Sequence, residues 1–347
     1  MNEILRFLAN EEGCFSDAHV EQGRPLRLRK PTGWEDAKFG KIEDHDMETF
    51  LQSLDKGWEA KMRKGQPVSV TIDLKLRNIG DMRYRCFAYT IDGGTRVAAS
   101  MRPIRRAPDS MSNLGLPPIV HTYAKAPKGL LLISGPTGSG KTTTIMAILS
   151  NILKARPVHV VTIEDPIEYV LDQGQGITSQ REVGVDTQSY AAGLKEALRQ
   201  RPDVIMVGEI RDQDTASTAL RAAESGHFVV ATMHSRSAIG AIQKLREMSE
   251  TDGSTIGYSL IGVLAQVLVP SKDKSRLILA SELLHCQDRE IITKIGEQKW
   301  PAIEDAIKRG DKGCLSMGQS LTSLVRSGQI ERDTALAAAY DPLSLPG

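Results

Sequence analysis

Two periods describe the hydrophobic and polar positions in the first part of the chain. Some stretches repeat apolar residues every three or four positions, as amphipathic helices do, and others alternate apolar with polar residues, as strands with one buried face do. In the first alternating stretch, Leu26 and Leu28 fall on the inner face. The pattern predicts an α+β domain of mostly antiparallel strands. The helical stretches are residues 1–16 and 44–64, and the alternating stretches are residues 17–30, 68–80 and 82–104.

The later part of the chain has a different pattern, in which short apolar runs alternate with amphipathic helices. Strands that are apolar on both faces are typical of parallel sheets covered by helices on both sides. The pattern therefore predicts an α/β domain with a parallel sheet and a run of C-terminal helices. The predicted strands are residues 130–134, 158–165, 203–209, 227–235 and 276–284, and the helices between them include residues 190–199, 215–224 and 238–248.

The segment between these two patterns has little periodicity of its own. Residues 103–118 contain four prolines together with serine and glycine, a composition typical of linkers. We expect a short, fairly stiff connection about which two domains move as rigid bodies. The predicted parts are an N-terminal domain over residues 1–103, a linker over residues 104–118 and a second domain over residues 119–347.

Composition and charge narrow the classes of function. With 44 basic and 43 acidic residues, the chain has a formal net charge of +1 and no overall field that attracts nucleic acid or anionic lipid. The four cysteines are far apart in sequence, so we expect buried thiols in a reducing compartment. The best candidate for a membrane span, residues 258–270, is too short, and the N-terminus lacks a secretory segment. We therefore expect a cytoplasmic protein.

An apolar strand runs directly into a glycine-rich turn and then a helix in the segment LLLISGPTGSGKTTT, residues 130–144. In this context the pattern G-x-x-x-x-G-K-[ST] predicts a phosphate-binding loop, because backbone amides and the helix N-terminus face the anion. Lys141 would reach the β- and γ-phosphates of ATP, and the Thr142 hydroxyl would bind Mg²⁺. The alternative is a glycine-rich surface loop. The predicted nucleotide-binding residues are Gly135, Pro136, Thr137, Gly138, Ser139, Gly140, Lys141, Thr142 and Thr143.

Acidic residues lie at the carboxyl ends of two of the predicted parallel strands. Ligands of such sheets bind at the carboxyl ends of the strands, so these residues fall on the edge that carries the phosphate loop. Glu209 is placed to align the attacking water, or alternatively to stabilise the N-terminus of the helix that begins near Asp212. Glu164 could hold Mg²⁺ through water, and Glu168 could join it or face solvent.

Two histidines flank the apolar strand HFVVATMHS. His234 comes at its carboxyl end beside Thr232, where it could sense the γ-phosphate. His227 comes at its start, after a turn, and is as well explained by a structural role. We do not expect the two histidines to bind a metal, because no third ligand occurs at zinc spacing.

Arginines occur at alternate positions along strands of the predicted N-terminal sheet. Arg83 and Arg85 share one face of their strand, and that face could meet a nucleotide bound on the second domain. A cation on the γ-phosphate would stabilise the charge that develops during phosphoryl transfer. The alternative is a solvated strand face without a role in catalysis.

Four blocks, GPTGSGKTTT, TIEDPIEYV, DVIMVGEIRD and AAESGHFVVATMHS, follow one another in a fixed order. In this order they resemble the Walker A motif, Asp box, Walker B motif and His box of the type II/type IV secretion ATPase superfamily. The blocks SDAHVEQGRPLRLR and MRYRCFAY extend the resemblance over nearly the whole chain. Chain length, the block SQREVG and the lack of a tetra-cysteine insertion are most similar to the pilus retraction motors of that superfamily.

The resemblance implies a homohexameric ring of cytoplasmic ATPases that does mechanical work beneath an inner-membrane platform protein of a pilus or secretion machine. It implies a PAS-like N-terminal domain, a RecA-like P-loop domain and nucleotide sites between them, with ATP and Mg²⁺ as cofactors and no nucleic acid as partner. By motif position, Glu209 is the catalytic glutamate, Glu164 is the Asp-box acid, and His227 and His234 are the His-box residues. The arginines that would complete the site are Arg83, Arg85, Arg102 and Arg181.

Two positions depart from the pattern of the retraction motors. Thr293 and Val267 stand where those motors carry arginines. The change at Thr293 favours an ATPase of a conjugative or type IV secretion system, whereas length and the block SQREVG favour a pilus motor. More distant alternatives are a RecA-like nucleic-acid translocase, which the charge balance does not favour, and a subunit that binds nucleotide without turnover.

Overall fold

The protein is described here from a computed structural model. It describes residues 2–11, 14–30, 32–76, 80–108 and 110–339. The chain divides into two compact units, Met1–Arg105 and Arg106–Gly347.

The first unit is an antiparallel sheet with three helices. Its strands pair in the order β3-β2-β1-β6-β5-β4, and each neighbouring pair is antiparallel. The helices are α1 (Glu3–Asn10), α2 (Asp44–Leu54) and α3 (Trp58–Arg63). The strands are β1 (Asp17–Glu21), β2 (Pro25–Lys30), β3 (Gly33–Lys41), β4 (Val68–Leu76), β5 (Gly80–Ile91) and β6 (Arg96–Arg106), with a 3-10 turn at Asp92–Gly94.

The alternation of the sequence places the predicted residues in the core of this unit. Leu26 and Leu28 are buried on one face of β2, as predicted. The Tyr84 hydroxyl donates a hydrogen bond of 3.1 Å to the Leu8 carbonyl, so β5 is joined to α1 through the core. A buried tyrosine needs such a partner, because an unsatisfied hydroxyl in an apolar core is costly.

The sequence pattern missed one strand of this unit and merged two helices. Strand β3 is mostly exposed, so its sequence GWEDAKFGK shows no apolar alternation. The predicted helix over residues 44–64 is interrupted because Asp55 is extended, with φ −153°. Residues 104–106 of the predicted linker lie in β6, and Met111 and Leu116 are buried in the second unit.

The second unit is built on a mainly parallel sheet, as predicted. Its helices are α4 (Val120–Tyr123), α5 (Lys141–Ala155), α6 (Tyr190–Ala197), α7 (Gln213–Glu224), α8 (Ala238–Ser249), α9 (Gly253–Ser259), α10 (Arg289–Gly296), α11 (Trp300–Arg309), α12 (Met317–Arg326) and α13 (Arg332–Ala338). Its strands are β7 (Gly129–Ser134), β8 (His159–Glu164), β9 (Tyr169–Val170), β10 (Ile177–Glu182), β11 (Val204–Val207), β12 (Phe228–Met233), β13 (Leu260–Pro270) and β14 (Leu277–His285). Turns of 3-10 helix lie at Leu198–Gln200 and Asp311–Gly313.

The strand order in this sheet is β10-β8-β11-β12-β7-β13-β14, and only the last pair named, β13 with β14, is antiparallel. Successive side chains of a strand enter two different cores. Leu130 and Leu132 of β7 pack with α6, α7 and α8, whereas Leu131 and Ile133 pack with α5. Helices therefore cover both faces, which is why the strands are apolar throughout.

Two strands of this sheet were missed by the sequence pattern. Strand β13 is buried along most of its length between β7 and β14, and its apolar run has no alternation. Strand β10 lies at the sheet edge and is half-polar. In the described ranges of the chain, every helix is too short or too polar to cross a bilayer. Cys86, Cys286 and Cys314 are buried as expected, but Cys14 is exposed, which corrects that part of the prediction.

Candidate functional site

The glycine-rich turn after β7 has the backbone geometry that its sequence predicts. Gly135 has φ +148°, and a Cβ there would lie 2.3 Å from the Gln266 carbonyl oxygen and 2.6 Å from Ser139 Oγ. Any side chain at this position would displace backbone of β13. Gly140 has φ +84° and immediately precedes α5, which begins at Lys141. The N–H groups of the first turn of α5 therefore face outward at the end of the loop.

A glutamine from β13 braces this loop. Gln266 is buried, and its Nε2 donates a hydrogen bond of 2.7 Å to the Ser139 carbonyl oxygen. Because neither partner reaches water, loss of this hydrogen bond would leave a buried carbonyl unpaired. Sequence reasoning noted only the missing arginine at the neighbouring Val267. The role of Gln266 depends on the pairing of β13 with β7, which the sequence did not reveal.

Lys141 is held inside the loop. Its Nζ donates to the carbonyl oxygens of Gly135 and Pro136, both at 2.9 Å. Burial lowers the pKa of Lys141, and the charges of Glu209 and Glu168 oppose that effect. The ammonium group is thus partly desolvated and contacts only neutral carbonyls here, so an anion placed in the loop would gain a strong interaction.

A pocket opens between the loop and the carboxyl ends of β8, β11 and β12. It is lined by Thr137, Gly138, Ser139, Gly140, Lys141, Thr142 and Thr143 of the loop region, and by Glu164, Glu209 and His234 of the strand ends. The predicted residues Gly135 and Pro136 do not line the pocket, and their carbonyl oxygens accept hydrogen bonds from Lys141. The parallel topology brings these groups together because it places all strand ends at one edge.

Glu164 is buried at the end of β8. Its Oε1 accepts hydrogen bonds from Thr162 Oγ1 at 2.7 Å and Gln180 Nε2 at 3.0 Å, whereas its Oε2 has no hydrogen-bond partner among the described residues. Burial raises the pKa of Glu164 to about 7, although these hydrogen bonds oppose the shift. A buried, unpartnered carboxylate oxygen and the Thr142 hydroxyl fit a magnesium ion, which takes few protein ligands and keeps several waters.

Glu209 lies beyond the end of β11 and is held from two sides. Its Oε2 accepts a hydrogen bond of 2.6 Å from Arg211 Nε, and its Oε1 lies 3.2 Å from His234 Nε2. The Glu209 side chain is only 14% exposed. The preceding Gly208 lies in a crowded place, since a Cβ there would lie 3.0 Å from the Ile163 carbonyl oxygen and 3.1 Å from the Tyr190 hydroxyl.

Two predicted site residues of this unit do not reach the pocket. His227 precedes β12, a strand length of about 20 Å from His234. Its Nδ1 lies 3.1 Å from Ser225 Oγ and 3.2 Å from the Ala222 carbonyl oxygen, contacts that fit the structural alternative for His227, and its role as a His-box residue stays a prediction. Arg181 on β10 does not line the pocket, and its Nη2 donates to Glu196 at 2.6 Å.

The predicted arginines of the first unit share one sheet face. Arg83 and Arg85 alternate with the buried Tyr84 on β5, and Arg85 pairs in register with Arg102 of β6. Arg83 forms an ion pair of 2.6 Å with Asp73, and Arg102 forms one of 2.7 Å with Asp17. This confirms that Arg83 and Arg85 point to the same side.

Other residues that line the pocket were not among the predicted site residues. Arg211 and Tyr190 contact the Glu209 region, and Asp165 follows Glu164 directly. The strand-end rule that found Glu164 also points to Asp165. No signal in the sequence points to Tyr190, because it begins a helix and reaches the strand ends only through packing.

This arrangement defines a P-loop nucleotide-binding site: a phosphate loop with its lysine and threonine faces two glutamates from the ends of neighbouring parallel strands. The type II/IV secretion system protein family matches residues 58–316 of the chain. The chain belongs to this family. It is an ATPase, as its sequence predicted.

Two relatives and one solved structure illustrate the similarity. The chain is 35% identical over 310 residues to a twitching motility protein of Neisseria gonorrhoeae, covering 88% of this chain and 78% of that protein. It is 31% identical over 348 residues to the type IV pilus retraction ATPase PilT of Pseudomonas aeruginosa, covering 99% and 98%. A crystal structure of the pilus retraction motor PilT with bound ADP matches with a TM-score of 0.87 and 34% identity, covering 99% of this chain and 98% of that one.

Proposed function

We propose that the chain is a motor ATPase of a type IV pilus, which couples ATP hydrolysis to pilus retraction. The observation that carries the proposal is the similarity to the PilT retraction ATPase over 99% of this chain and 98% of that protein. The two share both units, so the similarity is not confined to the nucleotide-binding fold. The pocket residues Lys141, Thr142 and Glu209 supply the chemistry that such a motor needs.

Each group at the pocket has a step to perform. The loop amides and Lys141 bind the β- and γ-phosphates, and Lys141 exchanges its two carbonyl partners for phosphate oxygens. Thr142 and Glu164 would hold Mg²⁺, which neutralises phosphate charge when bound. Glu209 orients the attacking water and accepts its hydrogen bond. His234 Nε2 lies 3.2 Å from Glu209 Oε1. At this place, directly after β12, His234 would detect a change at the γ-phosphate and transmit it to that strand.

We propose further that six chains form a ring on the cytoplasmic side of the inner membrane, docked on a platform protein of the pilus. In this ring the arginine face of the first unit approaches a nucleotide bound to a second unit. Support comes from family membership and from the shared orientation of Arg83 and Arg85. Arg102 pairs in register with Arg85 and would act with it, and Arg181 would contribute from β10.

An ATPase of a conjugative or type IV secretion system is the second candidate. Thr293 favours it, because this exposed residue of α10 stands where the retraction motors carry an arginine. Its hydroxyl donates to the Arg289 carbonyl of its own helix at 2.9 Å and offers no charge to a partner.

Deletion of the gene in its own host separates the two candidates. Fluorescently labelled pili should extend and fail to retract, and the wild-type gene but not a Glu209→Gln variant should restore retraction. Normal retraction with loss of secretion or DNA transfer would contradict the pilus proposal and support the second candidate.

A further inference from the structure

Arg211 contacts Glu209 in a way that the mechanism so far does not use. It comes two residues after Glu209, and its Nε donates a hydrogen bond of 2.6 Å to Glu209 Oε2. On another side its Nη1 lies 3.9 Å from Asp165 Oδ2. Its guanidinium carbon also lies 5.9 Å from the ring centroid of Tyr190, within the range of a cation–π contact. Arg211 thus has contacts on three sides, and 56% of its side chain is exposed to solvent.

Tyr190 provides a rigid seat for this arginine. It is the first residue of α6 and is 8% exposed, and its hydroxyl would be 3.1 Å from a Cβ at position 208. Burial raises the pKa of Tyr190 to about 12, so the ring stays neutral at physiological pH. Most of the side chain is therefore locked by packing against the strand ends, and it does not depend on the solvent-exposed arginine for its own position.

These contacts leave the Glu209 carboxylate able to accept a hydrogen bond from water. A carboxylate oxygen has two acceptor sites, so each Glu209 oxygen can still accept a hydrogen from water after it has met Arg211 or His234. A glutamate without these contacts would sample several rotamers, and a misplaced water-orienting group costs much of the rate. An isolated surface ion pair would not hold it, because exposed pairs contribute little.

We propose that Arg211, seated on Tyr190, is a positioning residue that fixes the Glu209 carboxylate in its water-orienting direction. The inference rests on the proposed role of Glu209 in ATP hydrolysis, and it is independent of whether the work done is pilus retraction. The contact with Tyr190 fixes the orientation of the planar guanidinium group of Arg211. That orientation determines the direction in which Nε donates its hydrogen bond to Glu209.

Arg211→Gln should lower kcat about 30-fold, while KM and the Kd of a non-hydrolysable ATP analogue stay within about threefold, because the group acts on the transition state only. Arg211→Gln leaves the other charged groups of the pocket, Lys141, Glu168 and Asp165, in place.

Two further variants distinguish the effect of the Arg211 charge from the effect of its planar contact with Tyr190. Arg211→Lys keeps the charge and loses the planar contact with Tyr190, so kcat should still fall. Tyr190→Leu removes the ring that the guanidinium contacts and should also lower kcat. Arg309→Gln is the matched control, because Arg309 donates to Asp311 two residues away at 2.8 Å on the surface. It should leave all constants unchanged.

The deciding experiment places Arg211→Gln in a Glu209→Gln background. A residue that acts through Glu209 has no further effect once Glu209 is disabled, so the double variant should match Glu209→Gln alone. The inference is overturned if Arg211→Gln keeps kcat within twofold, or if it weakens binding of the ATP analogue tenfold, which would show direct contact with nucleotide. Full activity of Glu209→Gln would instead contradict the proposed role of Glu209.

Discussion

The two units carry their functional charges in contrasting ways. In the second unit, Glu164 and Glu209 are almost buried at one sheet edge, and each is held by neighbours from other strands or loops. In the first unit, Arg83 and Arg102 lie on a sheet face with 30% and 69% of their side chains exposed. The first arrangement forms a nearly complete site within one chain. In the proposed ring, the second would contribute to a site only where another chain covers it.

The carboxyl-end edge of the second unit's sheet, where Glu164 and Glu209 are almost buried, is called the buried edge. Single substitutions in the site at this edge should cause the largest losses of activity. Glu209→Gln should bind ATP within a few-fold of the wild type and lose about 10⁴-fold in turnover, because the loop is intact and only the water-orienting group is gone. Lys141→Ala should instead lose nucleotide binding. Isothermal calorimetry and phosphate release measure both quantities, with Glu247→Gln on an exposed face of α8 as the control. Wild-type turnover by Glu209→Gln would remove Glu209 from the mechanism.

The sheet face of the first unit that carries Arg83, Arg85 and Arg102 is called the open arginine face. Substitutions on this face should lower the activity of the protein without lowering its stability. Arg85→Ala should lower turnover about 10³-fold, since an arginine on the γ-phosphate contributes at least this much in related chemistry. Nucleotide affinity should change only a few-fold, and the melting temperature should stay within about 2 °C because exposed charges contribute little to folding. Arg27→Ala, which removes an ion pair with Asp36 on the same sheet, is the control. Equal activity of both variants would show that the arginine face is a solvated surface without a role in catalysis.

The smallest expected effect is a dependence of stability on pH at the buried edge. The folded pKa of Glu164 is raised from 4.5 to about 7, so its burial is tolerated while it is protonated and becomes costly as pH rises through that range. Without nucleotide and magnesium, Glu164→Gln should melt a few degrees above the wild type at pH 8 and show no such gain at pH 5. Magnesium and ATP should reverse the order at pH 8. A gain that is the same at both pH values would show that burial of the Glu164 charge is not its cause.

The contrast between the two units also explains what the sequence could predict. The phosphate loop and the acids after β8 and β11 were predictable, because a parallel sheet places strand ends at one edge whatever the register. Gln266 and Tyr190 were not, because their contacts depend on strand pairing and helix packing between distant segments. Strands β3 and β13 were missed because one is exposed on most residues and the other is buried on both faces, so neither alternates.

The central claim is that the buried edge and the open arginine face form one ATPase site when chains assemble. Mixing Arg85→Ala with Glu209→Gln at varied ratios tests it directly. If the arginine acts across subunits, some interfaces in mixed rings carry both wild-type groups, and phosphate release should recover to a maximum at intermediate ratios. No recovery at any ratio, in rings shown by native mass spectrometry to be mixed, would contradict the claim that the site is shared between chains.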